Sequence, residues 1–485
     1  MGNEFFKEFL SIHDRYRFEI KINLDEDISG GVHKIEYYFF LPASLNISHY
    51  TYDKNQFYSS LQRYIRYQSP EMGVEDTFKS SNQLSPYNKT INLLDMLKDS
   101  PTNKFLIETA VDEIKLIGSI IKAEVNKTYS CISALASRDD VIKASNHLIS
   151  ISDIILSGMM ELKKKISSFN YESKIIDSFR YLDEYITMLE LETFINIIKL
   201  YNNQLPDEIS GKIQKKIEEL DNYRKIEKFL CFCEDNADFF LYYRGLLKKF
   251  ISSCLFLKSE PTFNLYNHII SGVASATAML FAIIVMIYAQ IKYSVTSLIF
   301  IIIAVISYVF KDRIKEFVKI MFSKKAVNFI FDRKIKITEP VHDIRIGYIK
   351  ESFAILSASS VNEEIINVRN NDNVDIIDED AKIEVVLKYK KEIKLNYDII
   401  KKYHTRRKKL LTIIRFSISD FLKHTDDDEV VYNVLKDGNI KSVKAKRTYH
   451  MNVVVKYFSK KLDAVYERYR IIFNRSGIIK VERMT

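Results

Sequence analysis

SGVASATAMLFAIIVMIYAQIKYSVTSLIFIIIAVISYVF, residues 271–310, decides the architecture. Between His268 and Lys292 lie 23 residues without a charge, Ile269–Ile291, and 18 more follow Lys292, Tyr293–Phe310. As helices these would extend about 34 Å and about 27 Å, against a hydrocarbon thickness of about 30 Å. Both are apolar on every side, whereas a helix in a soluble core keeps a polar stripe. The segment therefore reads as a transmembrane helical hairpin over 266–310, with spans at 269–291 and 293–310 and Tyr293 and Tyr308 near the two interfaces. A connection confined to Gln290–Ser294 makes the helices antiparallel.

Charge sets the orientation. The connection carries Lys292 alone, while Lys311, Arg313, Lys315, Lys319, Lys324 and Lys325 follow the second span and Lys248, Lys249 and Lys258 precede the first. The positive-inside rule then puts both flanking regions and both termini in the cytoplasm. Small residues recur along the first span, Gly272 with Ala276, and Ala274, Ala278 and Ala282. Packing of one hairpin helix on the other is their plain reading, and self-association between protomers is the alternative. Neither span holds an ionisable residue, which argues against a proton or ion transporter.

The rest of the 485-residue chain is globular in composition, 47% hydrophobic and 28% charged, and long enough for two to four domains. Only 12 glycines and 7 prolines favour long elements over Gly-rich phosphate loops. The net charge of +9 suits an anionic membrane surface as well as nucleic acid. Cys131, Cys231, Cys233 and Cys254 make no disulfide framework, and Cys231 and Cys233 read as buried thiols on a helix. The start, Met1-Gly2-Asn3-Glu4-Phe5-Phe6, has no pattern of a cleavable signal, and Phe6 and Lys7 argue against myristoylation.

The resulting expectation is an α+β membrane protein. Residues 1–91 form an N-terminal β-hairpin plus helix. Alternation at Tyr16, Phe18, Ile20, Ile22 and Leu24 gives one strand, Val32–Leu41 its partner, and Asp53 caps a helix carrying Phe57, Leu61, Tyr64 and Ile65. Residues 92–260 form a bundle of four to six long helices with breaks near Ser137, Asn170 and Pro206. A basic juxtamembrane helix spans 311–338. Residues 339–485 form a C-terminal α+β domain with a mainly antiparallel sheet. Its strands are expected at Ile344–Ile349, Ile383–Tyr389, Glu429–Val434, Lys441–Arg447, Asn452–Phe458, Ala464–Phe473 and Ile478–Glu482, with a helix around Tyr397–His424. Asp437-Gly438 and Ser476-Gly477 supply hairpin turns.

Three segments carry a resemblance: EYYFFLPASLNISHYTYDKNQFYSSLQRYIRYQSP near the N-terminus, KDRIKEF after the second span, and RIIFNRSGIIKVER at the end. They resemble an uncharacterised family of bacterial two-span membrane proteins. The resemblance implies the same layout in a bacterial inner membrane. That family has no assigned activity, so no catalytic residues carry over.

Motifs of catalysis are missing: there is no Walker A loop, no G-x-G-x-x-G, no H-E-x-x-H and no G-x-S-x-G. His13-Asp14 and His342-Asp343 fit hydrogen-bonded turns at strand edges better than a metal-dependent phosphohydrolase. The acidic stretches Asp372–Asp380 and Asp426–Glu429 read as solvated loops. In the basic run Lys401, Lys402, Arg406, Arg407, Lys408 and Lys409, a solvated helix face is the ordinary reading. Anionic lipid is the next, shared with Lys311, Arg313 and Lys315, while the scarcity of interleaved aromatics argues against nucleic acid. No metal or cofactor is expected. The leading expectation is a membrane-anchored cytoplasmic sensor or scaffold with a lipid bilayer and a protein partner or a second copy as its contacts. A membrane-perturbing effector, for example in defence against phage, is the alternative. An enzyme using His342, Asp343 and His404 is the third.

Overall fold

The computed structural model describes residues 10–24, 31–135, 137–201, 205, 207–262, 265–326, 331–371, 384–404, 406, 407, 409–436, 438–458 and 464–484. An N-terminal hairpin is present, but its strands are β1 (Leu10–Asp14) and β2 (Arg17–Leu24) rather than the expected pair. β3 (Val32–Pro42) is not the partner of β2. Ile35–Leu41 is buried on both faces, which suits a central strand covered on both sides. The simple alternation of β2 suits a sheet with one wet face, so the two strands enter different sheets.

Asp53 does cap a helix, α1 (Lys54–Ser60), through a reciprocal pair of hydrogen bonds with Gln56. The helix stops at Ser60, and Leu61–Tyr67 is a strand, β4. Leu61 and Ile65 are four apart, a spacing that fits a helix face and a strand face equally; buried Tyr67, two further on, fits only the strand.

After α2 (Val74–Phe78) comes the bundle: α3 (Pro86–Asp99), α4 (Lys104–Ala134), α5 (Arg138–Ser167), α6 (Ser173–Tyr201), α7 (Asp207–Ile226) and α8 (Ala237–Ser252). Helix breaks fall near Ser137 and Asn170 as expected; Pro206 lies outside the described residues. The hub is α4. Its Ile114, Ile117 and Ile121 join the bundle core, while Leu116 and Ile120 enter the sheet core beside Cys254 and Leu255.

β5 (Lys258–Pro261) leads to two antiparallel helices, α9 (Leu265–Lys292) and α10 (Leu298–Ala326), and β6 (Arg333–Glu339) returns beside β5. One described helix is long and apolar enough to cross a membrane, over Ser271–Lys292. The second begins at Leu298, five residues later than the sequence suggests, because hydroxyl residues make the turn: Ser297 N–H donates to Ser294 O, and Ser297 Oγ accepts from Phe300 N–H. Its uncharged part, Leu298–Phe310, extends only about 20 Å. The expected basic helix is the continuation of α10 as far as Ala326, and β6 replaces its last residues.

Next come β7 (Ile344–Ser357), α11 (Glu363–Arg369), β8 (Glu384–Leu395), α12 (Tyr397–Tyr403), β9 (Leu410–Ser417) and α13 (Ser419–Leu422). The chain ends with β10 (Glu429–Lys436), β11 (Asn439–Lys446), β12 (Tyr449–Phe458), β13 (Val465–Asn474) and β14 (Gly477–Met484). All seven expected strands are found. The long helix expected at Tyr397–His424 is not: LLTIIRFS is β9, held between β2 and β4, and a short apolar run rich in β-branched residues fits that buried position.

The strands order as β14-β13-β12-β3-β8-β7-β6-β5 in one antiparallel sheet and β1-β2-β9-β4 in a second, while β10-β11 is a separate ribbon. The two sheets pack face to face through aromatic rings, Phe39 on Phe416 at 5.3 Å and Phe18 on Phe39 at 6.2 Å between centroids, and Phe57 of α1 stacks on Phe353 at 4.0 Å. The N-terminal and C-terminal regions therefore share one core. The bundle and the helical hairpin are insertions into it.

Glu190 of α6 is 3% exposed, and its Oε1 has no hydrogen-bond partner among the described residues. Burial pushes its carboxyl from 4.5 up to about 8. Between those pH values the unfolded chain has released this proton and the folded chain still holds it, so stability falls as pH rises. The expected loss is roughly 3–5 kcal/mol once Glu190 is fully ionised. In urea titrations across that window, Glu190→Gln should remove most of the decline; an unchanged slope would assign it elsewhere.

Candidate functional site

At the end of β6, Pro340 forces a turn, and the Glu339 carboxylate closes it by accepting the backbone N–H groups of Val341, at 3.1 Å, and His342, at 2.7 Å. His342 Nδ1 lies 2.8 Å from Glu339 Oε2. From the other side, α12 starts at Asn396, whose side chain accepts Ile399 N–H, and stops at His404. His404 Nε2 comes within 3.4 Å of Glu339 Oε1. At that distance no aligned hydrogen bond forms, and the buried nitrogen has no hydrogen-bond partner among the described residues. Burial alone would raise the Glu339 carboxyl, but the His404 ring and the donors of His342 and Val341 outweigh it and hold it at about 2. Phe105 of α4 and Tyr403 flank the His342 ring, and Tyr67 lies against His404.

The cluster sits where the bundle meets the sandwich. Beside it is a polar cavity of about 50 Å³ whose walls include Asp112, Glu113, Arg406 and Arg407. Arg407, with its side chain 4% exposed, pairs with Asp112 and donates to Cys254 O at 3.0 Å. Arg406 pairs with Glu113, which also takes Lys89 at 2.7 Å. Burial lifts the Asp112 carboxyl above its usual range despite Arg407 beside it; for Glu113, Arg406 and Lys89 outweigh burial and lower it. These pairs fasten α4 to the segment before β9.

The basic run is thus not one solvated or lipid-facing helix face. Arg406 and Arg407 turn inward, Lys408 lies outside the described residues, and Lys409 pairs with Glu71 at the surface. On α12, Lys401 and Lys402 are exposed, as are Asp398 and Tyr403. On α10, Arg313 and Lys315 are exposed and Lys311 lies over the Tyr308 ring at 4.0 Å. Of the small residues on α9, Ala274 and Ala278 are buried and Ala282 is half-buried in the seam with α10, whereas Gly272 and Ala276 face outward. The acidic stretch 372–380 lies outside the described residues. Asp426 and Asp427 pair with Arg447 and Arg475 and are turn anchors. Cys231 and Cys233 sit between helices rather than on one, and Cys233 is exposed.

Of His342, Asp343 and His404, grouped from sequence as candidates for an enzyme, the fold brings the two histidines together and leaves Asp343 out: the rings approach to 6.1 Å, and Asp343 is exposed with a left-handed φ of 50°. Glu339, missed at that stage, had one local signal, the Glu-Pro-x-His spacing across the turn. A second cavity, of about 410 Å³, lies at the root of the helical hairpin, with Arg63, Thr262, Asp332, Arg333 and Lys334 among its walls. No family model, no curated protein and no solved structure matches this chain.

Arg407→Met should cost about 3–5 kcal/mol in urea unfolding, because it strands a buried Asp112. Adding Asp112→Leu should recover most of that loss, and Lys409→Ala should leave the midpoint in place. Equal midpoints for Arg407→Met and Lys409→Ala would mean the inner pair does not hold the bundle to the sandwich.

Proposed function

We propose that this chain is a membrane-anchored sensor or scaffold, held in the bilayer by the α9–α10 hairpin with its sandwich and bundle on the cytoplasmic side. The observation that carries the reading is the exposure of the hairpin. Leu280 is 61% exposed, Ile291 82% and Val305 59%, and the apolar window of α9 is 17% buried. A soluble protein rarely shows an apolar patch beyond a few hundred Å². Lys311, Arg313 and Lys315 follow the short uncharged part of α10, where long basic side chains reach the headgroups.

The attachment supports a sensing role. Thr262 N–H donates to Lys334 O at 2.8 Å, so the chain enters and leaves the helical hairpin across one β-ladder. A tilt of the helices is felt at the edge of the eight-stranded sheet. The same geometry allows a clean excision: a short Gly-Ser turn joining Thr262 to Phe331 closes an ordinary β-hairpin. The full chain should stay with membranes through an alkaline carbonate wash, and the excised chain should be soluble and folded. A full chain that is monodisperse in buffer without detergent would overturn the anchor.

The outward face of α9 favours a second reading, an effector in which hairpins from several copies assemble into a leak. A Cβ added at Gly272 meets nothing within 4 Å, so a second hairpin can approach closely there and at Ala276. If that reading holds, expression depolarises cells and Gly272→Leu with Ala276→Leu abolishes the effect. Depolarisation that survives both substitutions removes it.

A further inference from the structure

We propose that Glu339, His342 and His404 form a divalent transition-metal site of the Zn²⁺ type, with water from the adjoining cavity as the fourth ligand. The donor atoms of the three side chains lie within 4.8 Å of one another. A tetrahedral ion with ligands at about 2.0–2.1 Å holds its donors about 3.3 Å apart. Glu339 already lies 2.8 Å from His342 Nδ1 and 3.4 Å from His404 Nε2, so side-chain shifts of an ångström or so bring the donors into place.

Two further features fit an ion. His404 Nε2 is directed at the cluster from a side chain 9% exposed, without a hydrogen-bond partner among the described residues. Buried polar atoms are seldom left so, and a cation supplies the missing contact. The Val341 and His342 N–H groups fix the carboxylate from behind. Each carboxylate oxygen has two lone pairs and can take an N–H and an ion together, the support usual around metal ligands. On binding, the ion takes the place of the hydrogen bond between His342 Nδ1 and Glu339, and the neutral imidazole carries its one proton on Nε2.

Two imidazoles and one carboxylate suit Zn²⁺ or Co²⁺ better than Mg²⁺ or Ca²⁺, which prefer all-oxygen shells. The neighbouring Arg406 and Arg407 are committed to Glu113 and Asp112 and leave little uncompensated positive charge toward the ion. The cavity of about 50 Å³ admits water and little else, so the ion clasps the β6–β7 turn to the end of α12 rather than turning over a substrate. This inference does not rest on the membrane anchor.

The test is a titration of the untagged, chelator-treated full chain in detergent with Co²⁺ alone, followed by displacement with Zn²⁺. Expected is one Co²⁺ per chain with the visible bands of a four-coordinate site. His404→Ala and His342→Ala should each weaken binding at least about a hundredfold, and His13→Ala should leave it unchanged. If His404→Ala does not fold, His342→Ala, on a part-exposed turn, carries the test, with far-UV circular dichroism as the check on folding. Absence of visible bands and of saturable binding would overturn the site, as would undiminished binding by a folded His342→Ala chain.

Discussion

Strand β3 has no partner among its neighbours in sequence. It is buried on both faces and hydrogen-bonds to β8 on one side and β12 on the other, with Tyr37 opposite Tyr389 and Val455. The N-terminal region therefore cannot complete its sheet until the C-terminal region arrives. Apart from β5, the elements between β4 and β6 are excursions from that sandwich. The bundle is one excursion, and the Arg407–Asp112 and Arg406–Glu113 pairs bring it back. The helical hairpin is the other, and it returns through the β5–β6 ladder. Pairing over such distances in sequence incurs a loop-closure cost, which the aromatic interface between the sheets offsets.

Placing both excursions on one scaffold gives the molecule its mechanical logic. The sheet edge that carries the hairpin is β5–β6, and the far end of β6 carries Glu339. One strand thus runs from the root of the helices to the cluster with His342 and His404, where α4 of the bundle also touches through Phe105. A displacement at the root and an ion at the cluster act on opposite ends of the same seven residues.

What could be read in advance follows from where the information is stored. The apolar helices announce themselves by missing charges, but charge cannot mark the turn, because Tyr293–Ser297 is uncharged too; hydroxyl hydrogen bonds set it. Bundle helices were legible from local period, as in Ile114, Ile117 and Ile121. β4 and β9 were not, since a spacing of four, or a solid apolar run, fits a helix and a strand alike. Lys401–Lys409 looked like a patch because nothing nearby in sequence reveals Asp112 and Glu113, nearly 300 residues away. The same distance problem hid the approach of His404 to Glu339, a contact made only by folding.

The central claim is that α9 and α10 lie in lipid. The chain contains no tryptophan, so Leu280→Trp places a single reporter on the outer face of α9. In vesicles carrying brominated acyl chains, its fluorescence should be blue-shifted, quenched by the lipid bromines and shielded from aqueous iodide. A tryptophan at Tyr432 on the exposed ribbon should show the opposite pattern. Iodide quenching at position 280 with no effect of bromolipid would contradict the account.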